Sequence, residues 1–153
     1  MIMLIFLSLN IITVVLCVAI HYLLFIYILS NIGTEDRLQR LPIFLYVHLA
    51  LIVHMVEIAL FALVYLGFDG SLHYGQLLGD YDGGFNDCFY FSLSCYTSVG
   101  FGDIRPEGWL RFTAGVEALL GLMMITWTAS LLYLAMQKLA ENSHKKQQRH
   151  RFK

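Results

Sequence analysis

Five consecutive residues, Ser98, Val99, Gly100, Phe101 and Gly102, interrupt an apolar polymer with a glycine at every second position. Glycine reaches backbone angles closed to other residues. Gly100 and Gly102 can therefore turn successive carbonyls to one side while Val99 and Phe101 pack outward. The hydroxyl of Ser98 adds one more oxygen at the inner end. A row of oxygens of this kind can replace the water shell of a cation, which makes these five residues the candidate ion-binding segment. Asp103 follows directly, and Gly108 adds another glycine close by.

A second group of residues could also do chemistry. Ionisable side chains inside apolar runs are functional candidates, because a charge in hydrocarbon is costly. His21, His48, His54, Glu57 and Glu117 are of this kind. His54 and Glu57 are three apart and share a helix face. A rise near 1.5 Å per residue puts His21 and His54 at similar depths, and Glu57 and Glu117 within about a turn of each other toward the outer side. One reading is a buried His54–Glu57 pair, joined by Glu117, bracing the ion-binding segment from behind through Ser92, Ser94 or Thr97. A sharper reading makes the cluster of His21, His54 and Glu57 a proton sensor, since histidine titrates near neutral pH. A metal or proton path is the third. His48 lies nearer the inner end, at the membrane interface. No nucleophile–base pair can be argued from spacing, so no catalytic residue and no enzymatic activity are expected.

The elements that must position these groups are set by composition. Of 153 residues, 58% are hydrophobic and 14% charged, too apolar for a wettable surface. Apolar runs of about 18 or more residues read as bilayer-spanning helices. The first runs from residue 1 to about 31. It lacks the positive start of a signal peptide and outlasts an ordinary signal core, so it is expected as a retained helix. A polar link precedes Leu41-Pro42, and proline suits a first helical turn. That opens a second span over 42–67. A polar loop covers 68–85, and Asn86 or Asp87 is the expected cap of a helix over 86–97, too short to cross. The last span covers 109–137, and a basic tail fills 138–153. The fold class expected is an all-α membrane protein with three spans and one re-entrant helix.

Charge orients the chain. Arg37 and Arg40 in the link, and Lys138, Lys145, Lys146, Arg149, Arg151 and Lys153 in the tail, favour the cytoplasm. The stretch between the last two spans carries Asp69, Asp80, Asp82, Asp87, Asp103 and Glu107, with only Arg105 against them. That stretch and the N-terminus are therefore expected outside. The acids can raise the local cation concentration; Asp103 is the foremost candidate, Asp80 and Asp82 solvate a loop, and His73 is a candidate sensor of external pH. A net charge of −1 with one basic run gives no reason to expect nucleic acid. The tail is expected at anionic lipid headgroups. Cys17, Cys88 and Cys95 lie in apolar segments and are expected as buried thiols, with neither disulfide nor metal spacing.

The stretch "TSVGFGD" resembles the potassium-channel signature, in which filter carbonyls replace the ion's hydration shell. Ser98 to Gly102 match the five filter positions and Asp103 the acid outside them. Serine stands for threonine and phenylalanine for tyrosine, which removes a hydroxyl tether to the pore helix. Tyr90 and Phe91 fall where such channels pack aromatics around the filter. Ser94 stands where some relatives carry a glutamate bracing the filter aspartate. Gly121 resembles the inner-helix hinge, and Leu122, Ile125, Ala129 and Tyr133 the pore-facing series. Over about 42–137, the chain is similar to small bacterial channels of the two-transmembrane, one-pore-loop group, with an extra helix first. The resemblance implies a cyclic homotetramer, K+ as the transported ion without organic cofactor, and a bacterial inner membrane location. A weakly selective cation channel and a non-conducting regulatory subunit are the alternatives. No arginine-patterned voltage sensor, dinucleotide fingerprint or calcium loop is present in the sequence, which leaves the filter, the Gly121 region, lipid, pH or a partner to gate.

Overall fold

The computed structural model describes the backbone of residues 2–31, 41–71 and 74–151, and the side chains of 3–31, 43–71 and 74–141. The link with Arg37 and Arg40, His73, and the tail's side chains beyond residue 141 lie outside the described residues.

Three long helices dominate: α1 (Ile2–Asn31), α2 (Leu41–Phe68) and α4 (Leu110–Arg151). Each contains a stretch long and apolar enough to cross a membrane, over Met3–Asn31, Ile43–Phe68 and Leu110–Glu141. Between α2 and α4 lies α3 (Phe85–Tyr96), only 12 residues long. At about 1.5 Å per residue it reaches roughly 18 Å, short of a bilayer core.

Three details depart from the sequence expectations. Gly84, not Asn86 or Asp87, is the N-cap of α3. Asp87 lies in the first turn instead, where its carboxylate accepts the Asp82 N–H at 3.0 Å and folds the preceding loop back. The stretch joining α2 to α3 is also more than a loop. Strands β1 (Leu77–Gly79) and β2 (Ile104–Pro106) pair antiparallel, with Leu78 opposite Arg105. Gly79 makes the pairing feasible: its φ is +123°, and a Cβ there would lie 1.8 Å from the Asp103 carbonyl oxygen. Finally, α4 does not stop near residue 137 but continues as one helix to Arg151. The apolar pattern ends near Lys138, yet the Glu, Lys, Gln and Arg that follow are good helix formers.

Asp69, just beyond α2, fastens the stretch that leads to α3. It accepts the Leu77 N–H and the Tyr81 hydroxyl, both at 2.6 Å. Desolvation and that carboxylate together push the Tyr81 hydroxyl well above the usual tyrosine range.

Helix α1 is no loose appendage. Near its start Phe6 packs on Phe68 and Tyr74, with ring centroids 5.2 and 5.3 Å apart. In its middle His21 and Phe25 lie against Trp127 of α4. Toward its end Leu24 and Ile28 join Tyr46, Ala50, Leu131 and Ala135 in a core of their own. The larger core surrounds α3, where Phe61, Tyr65, Phe91, Tyr96 and Met124 are buried. Lipid tails give helices no hydrophobic reason to associate, so close packing and interhelical hydrogen bonds must do so.

Candidate ion-binding site

The segment after α3 is built around Ser94. Its carbonyl accepts the N–H of Val99 at 3.1 Å and of Gly100 at 3.3 Å. Its hydroxyl accepts the N–H of Phe101 at 3.2 Å. The chain therefore reverses tightly over the end of α3, with Ser98 N–H also donating to Cys95 at 2.9 Å. Ser94 stands where some relatives carry a glutamate bracing the filter aspartate; here its short side chain holds the Phe101 backbone.

Backbone angles along the segment alternate in sign. Ser98, Gly100 and Gly102 have φ of +58°, +60° and +83°. Val99 and Phe101 between them are not in that region. Neither glycine is crowded, since a Cβ at Gly100 or Gly102 would meet nothing within 4 Å. Glycine is required there by conformation, not by space. Ser98 adopts the same angle without being glycine, which is uncommon; sequence reasoning had credited it with a hydroxyl alone.

Tyr90 holds the outer end. Its ring stacks on Phe101 at 5.9 Å and 7° between planes, and its hydroxyl donates to Asp103 at 2.7 Å. The other Asp103 oxygen accepts the Ile104 N–H at 3.0 Å. The Tyr90 hydrogen bond holds the Asp103 carboxyl below the usual aspartate range, and Asp103 in turn pushes the Tyr90 hydroxyl up. Phe91, expected beside the filter, is buried edge-on to Tyr65 of α2, with centroids 4.8 Å apart. Thr97 makes a local bond, its hydroxyl donating to the Leu93 carbonyl at 2.7 Å.

The sign of the Asp103 effect sets a pH expectation. A depressed carboxyl contributes above its unfolded value, near 3.9, and loses that contribution as pH falls through the lower folded value. Tyr90→Phe removes the main cause, so Asp103 should titrate closer to the ordinary value. Carboxyl-carbon NMR on the two proteins reads this directly; identical titration would mean the tyrosine hydroxyl is not the cause.

Behind α3 stand two polar clusters, each with a buried carboxyl group. In the first, Ser92 donates to the Ile58 carbonyl at 2.8 Å and lies 2.5 Å from Glu117, whose other oxygen accepts the Tyr65 hydroxyl at 2.6 Å. Glu117 therefore serves Ser92 of the three hydroxyls considered, and its partners keep it apart from the His54–Glu57 pair it was expected to join. In the second, Glu57 accepts the Tyr96 hydroxyl and lies 3.1 Å from His21 Nδ1 and 3.2 Å from His54 Nδ1. Thr128 of α4 touches Nε2 of both histidines at 3.1 Å. The structure thus brings His21, His54 and Glu57 together, their ligand-type atoms all within 4.8 Å. Tyr96 and Thr128 complete the group. Sequence reasoning missed both, because a lone tyrosine and threonine in apolar helices carry no spacing signal. His48 turns instead to the Phe44 carbonyl of its own helix at 2.8 Å.

Gly121 marks the crossing of α3 and α4. A Cβ there would fall 2.1 Å from the Tyr96 carbonyl oxygen. Leu122, Ile125, Ala129 and Tyr133 follow on one face of α4, all exposed in the isolated chain.

This architecture agrees with comparison to known proteins. Residues 43–138, well over half of the chain, match the family model described as ion channel. The chain belongs to this ion-channel family. It is a multi-pass membrane protein, and the family is one of channels, not of enzymes. The inward rectifier potassium channel Kirbac3.1 of Paramagnetospirillum magnetotacticum is 34% identical over 82 residues, which is 53% of this chain and 26% of that protein. The potassium channel protein kcv of Paramecium bursaria Chlorella virus 1 is 32% identical over 57 residues, 36% of this chain and 61% of that protein. The channel chain thus spans about a quarter of the first relative and about three-fifths of the second. No solved structure matches it significantly.

Proposed function

We propose that this channel is potassium-selective and conducts passively, as a cyclic homotetramer whose filter loops surround one axis. The observation that carries the reading is the sign-alternating backbone from Ser98 to Gly102, pinned by three N–H groups to Ser94. Alternation in the sign of φ turns successive carbonyls to one side, so that Ser98, Val99, Gly100, Phe101 and Gly102 present oxygens along a line. The names of the two potassium-channel relatives support the choice of ion.

Around this filter, Asp103 at the mouth concentrates cations. Tyr90, Ser94, Thr97, Phe91 and Glu117 support it. Leu122, Ile125, Ala129 and Tyr133 line the cavity below, with Gly121 as the hinge of α4. The N-terminus faces outside and the basic tail faces anionic lipid on the cytoplasmic side of a bacterial inner membrane.

The test is the reversal potential of purified protein in planar bilayers under opposed potassium and sodium gradients. Reversal near the potassium equilibrium value, lost in Gly100→Ala, is the expected result. Reversal near zero with clear single-channel steps would replace the reading by a weakly selective cation channel. Silence from intact tetramers across pH 5 to 8 (roughly the range in which histidine changes charge) would favour a regulatory subunit.

A further inference from the structure

The ring formed by Glu57, His21, Thr128 and His54 has four hydrogen-bonding edges. Two join the Glu57 carboxylate to the histidine Nδ1 atoms and two join Thr128 Oγ1 to their Nε2 atoms. Each edge needs one hydrogen. The carboxylate supplies none, and the Tyr96 hydroxyl, 2.8 Å from His54 Nδ1, gives its single hydrogen to Glu57, so each Nδ1 must carry its own hydrogen, that of His54 shared between Glu57 and the Tyr96 oxygen. A neutral imidazole has a single N–H, which leaves both Nε2 atoms as bare acceptors. The Thr128 hydroxyl has one hydrogen for the two of them. With neutral histidines the ring is therefore one hydrogen short, and two lone pairs face each other at 3.1 Å in a buried site.

We propose that this cluster is a binding site for one exchangeable proton, shared between His21 and His54. With it, one histidine donates from Nε2 to Thr128, Thr128 donates to the other, and every edge is filled. The charge also closes, because one imidazolium balances one Glu57 carboxylate where His21 and Glu57 are buried and His54 is largely so (1%, 0% and 12% exposed). A divalent metal held by the same atoms would leave an uncompensated positive charge, a costly state in a low-dielectric interior.

Every element packed here contributes. From α1 come His21 and, one turn earlier, the buried Cys17 thiol; from α2, His54 and Glu57. The Tyr96 hydroxyl comes from α3, within 2.8 Å of His54 Nδ1, and Thr128 and the Trp127 ring come from α4. On α4 the nearest carboxyl group is Glu117, engaged by Ser92 and Tyr65. The bound proton makes the attachment of α1 to the end of the pore helix conditional, since Glu57 holds Tyr96 and His21 at once. This does not depend on which ion the pore carries.

Full-length protein labelled with 15N-histidine, in lipid nanodiscs near pH 7.5, tests the assignment. An exposed imidazole, titrating near 6.5, is mostly neutral there. The expected spectrum contains about one imidazolium per chain, absent from Thr128→Val and from Glu57→Gln, with no stoichiometric metal in the same preparation. Thr128→Val is close to isosteric and removes the hydroxyl that creates the shortage, so it guards against loss of fold in Glu57→Gln. Only neutral histidines in the wild type, an imidazolium that survives both substitutions, or one transition-metal ion per chain would each overturn the proposal.

Discussion

Gly121→Ala should be among the most damaging single-methyl changes in the protein. The added Cβ would lie 2.1 Å from the Tyr96 carbonyl oxygen, 2.8 Å from its carbonyl carbon and 3.0 Å from its Cα. All three are backbone atoms, so no side-chain rotation relieves the clash. Helix α4 would have to retreat from α3 by about 1 Å, and overpacking of this kind costs about 1–3 kcal/mol or more. The retreat also pulls Thr128 from the histidines and Glu117 from Ser92, both of which sit on α4. A lower thermal midpoint is expected. Gly115→Ala is the control on the same helix, where a Cβ meets nothing within 4 Å. There alanine's better helix propensity predicts a gain of up to about 1 kcal/mol. Equal behaviour of the two variants would mean that the crossing is not a tight seat.

Glu57→Ala should cost more still. It removes the acceptor for His21, His54 and Tyr96 together and leaves a cavity among buried side chains. Breaking a buried ionic group by deleting one partner typically costs about 3–5 kcal/mol. For a chain of this size that corresponds to a fall in the unfolding midpoint of roughly 10 °C. Thermal unfolding monitored by tryptophan emission would report it, since the Trp127 ring lies against His21, with centroids 5.2 Å apart. A midpoint within a degree or two of wild type would show that the cluster contributes little.

Much of this was legible in the sequence, for a simple reason: spans and filters are written in short range. Three long apolar runs fix three helices, and the glycines at 100 and 102 mark an unusual backbone whatever surrounds it. His54 and Glu57 were readable because helical spacing of three puts them on one face. What escaped was long-range pairing between segments with no pattern of their own. The strands at Leu77–Gly79 and Ile104–Pro106 are three residues each and too short to show alternation. Tyr96 and Thr128 look like ordinary apolar-helix residues until the fold brings them to Glu57 and the histidines. The place of Ser94 was visible, but its partner depended on how tightly the chain reverses over α3. The polar end of α4 read as a tail because hydrophobic periodicity, the main helix signal, stops where the apolar residues do.

The fastening of α3 has a mechanical consequence. Ser92 and Tyr96 are tied to Glu117 and Glu57, and they lie four residues apart on one face of the helix. Two hinges on a common edge oppose sliding and tipping more strongly than a swing about the line joining them. Ser94 lies about 160° around the helix from each, at the opposite edge, and is itself buried. The segment from Ser98 to Gly102 hangs from that edge by its three N–H groups. A small swing of the helix would therefore carry the segment sideways as a unit, with its internal spacing intact, and loosening either hinge would let it tilt as well.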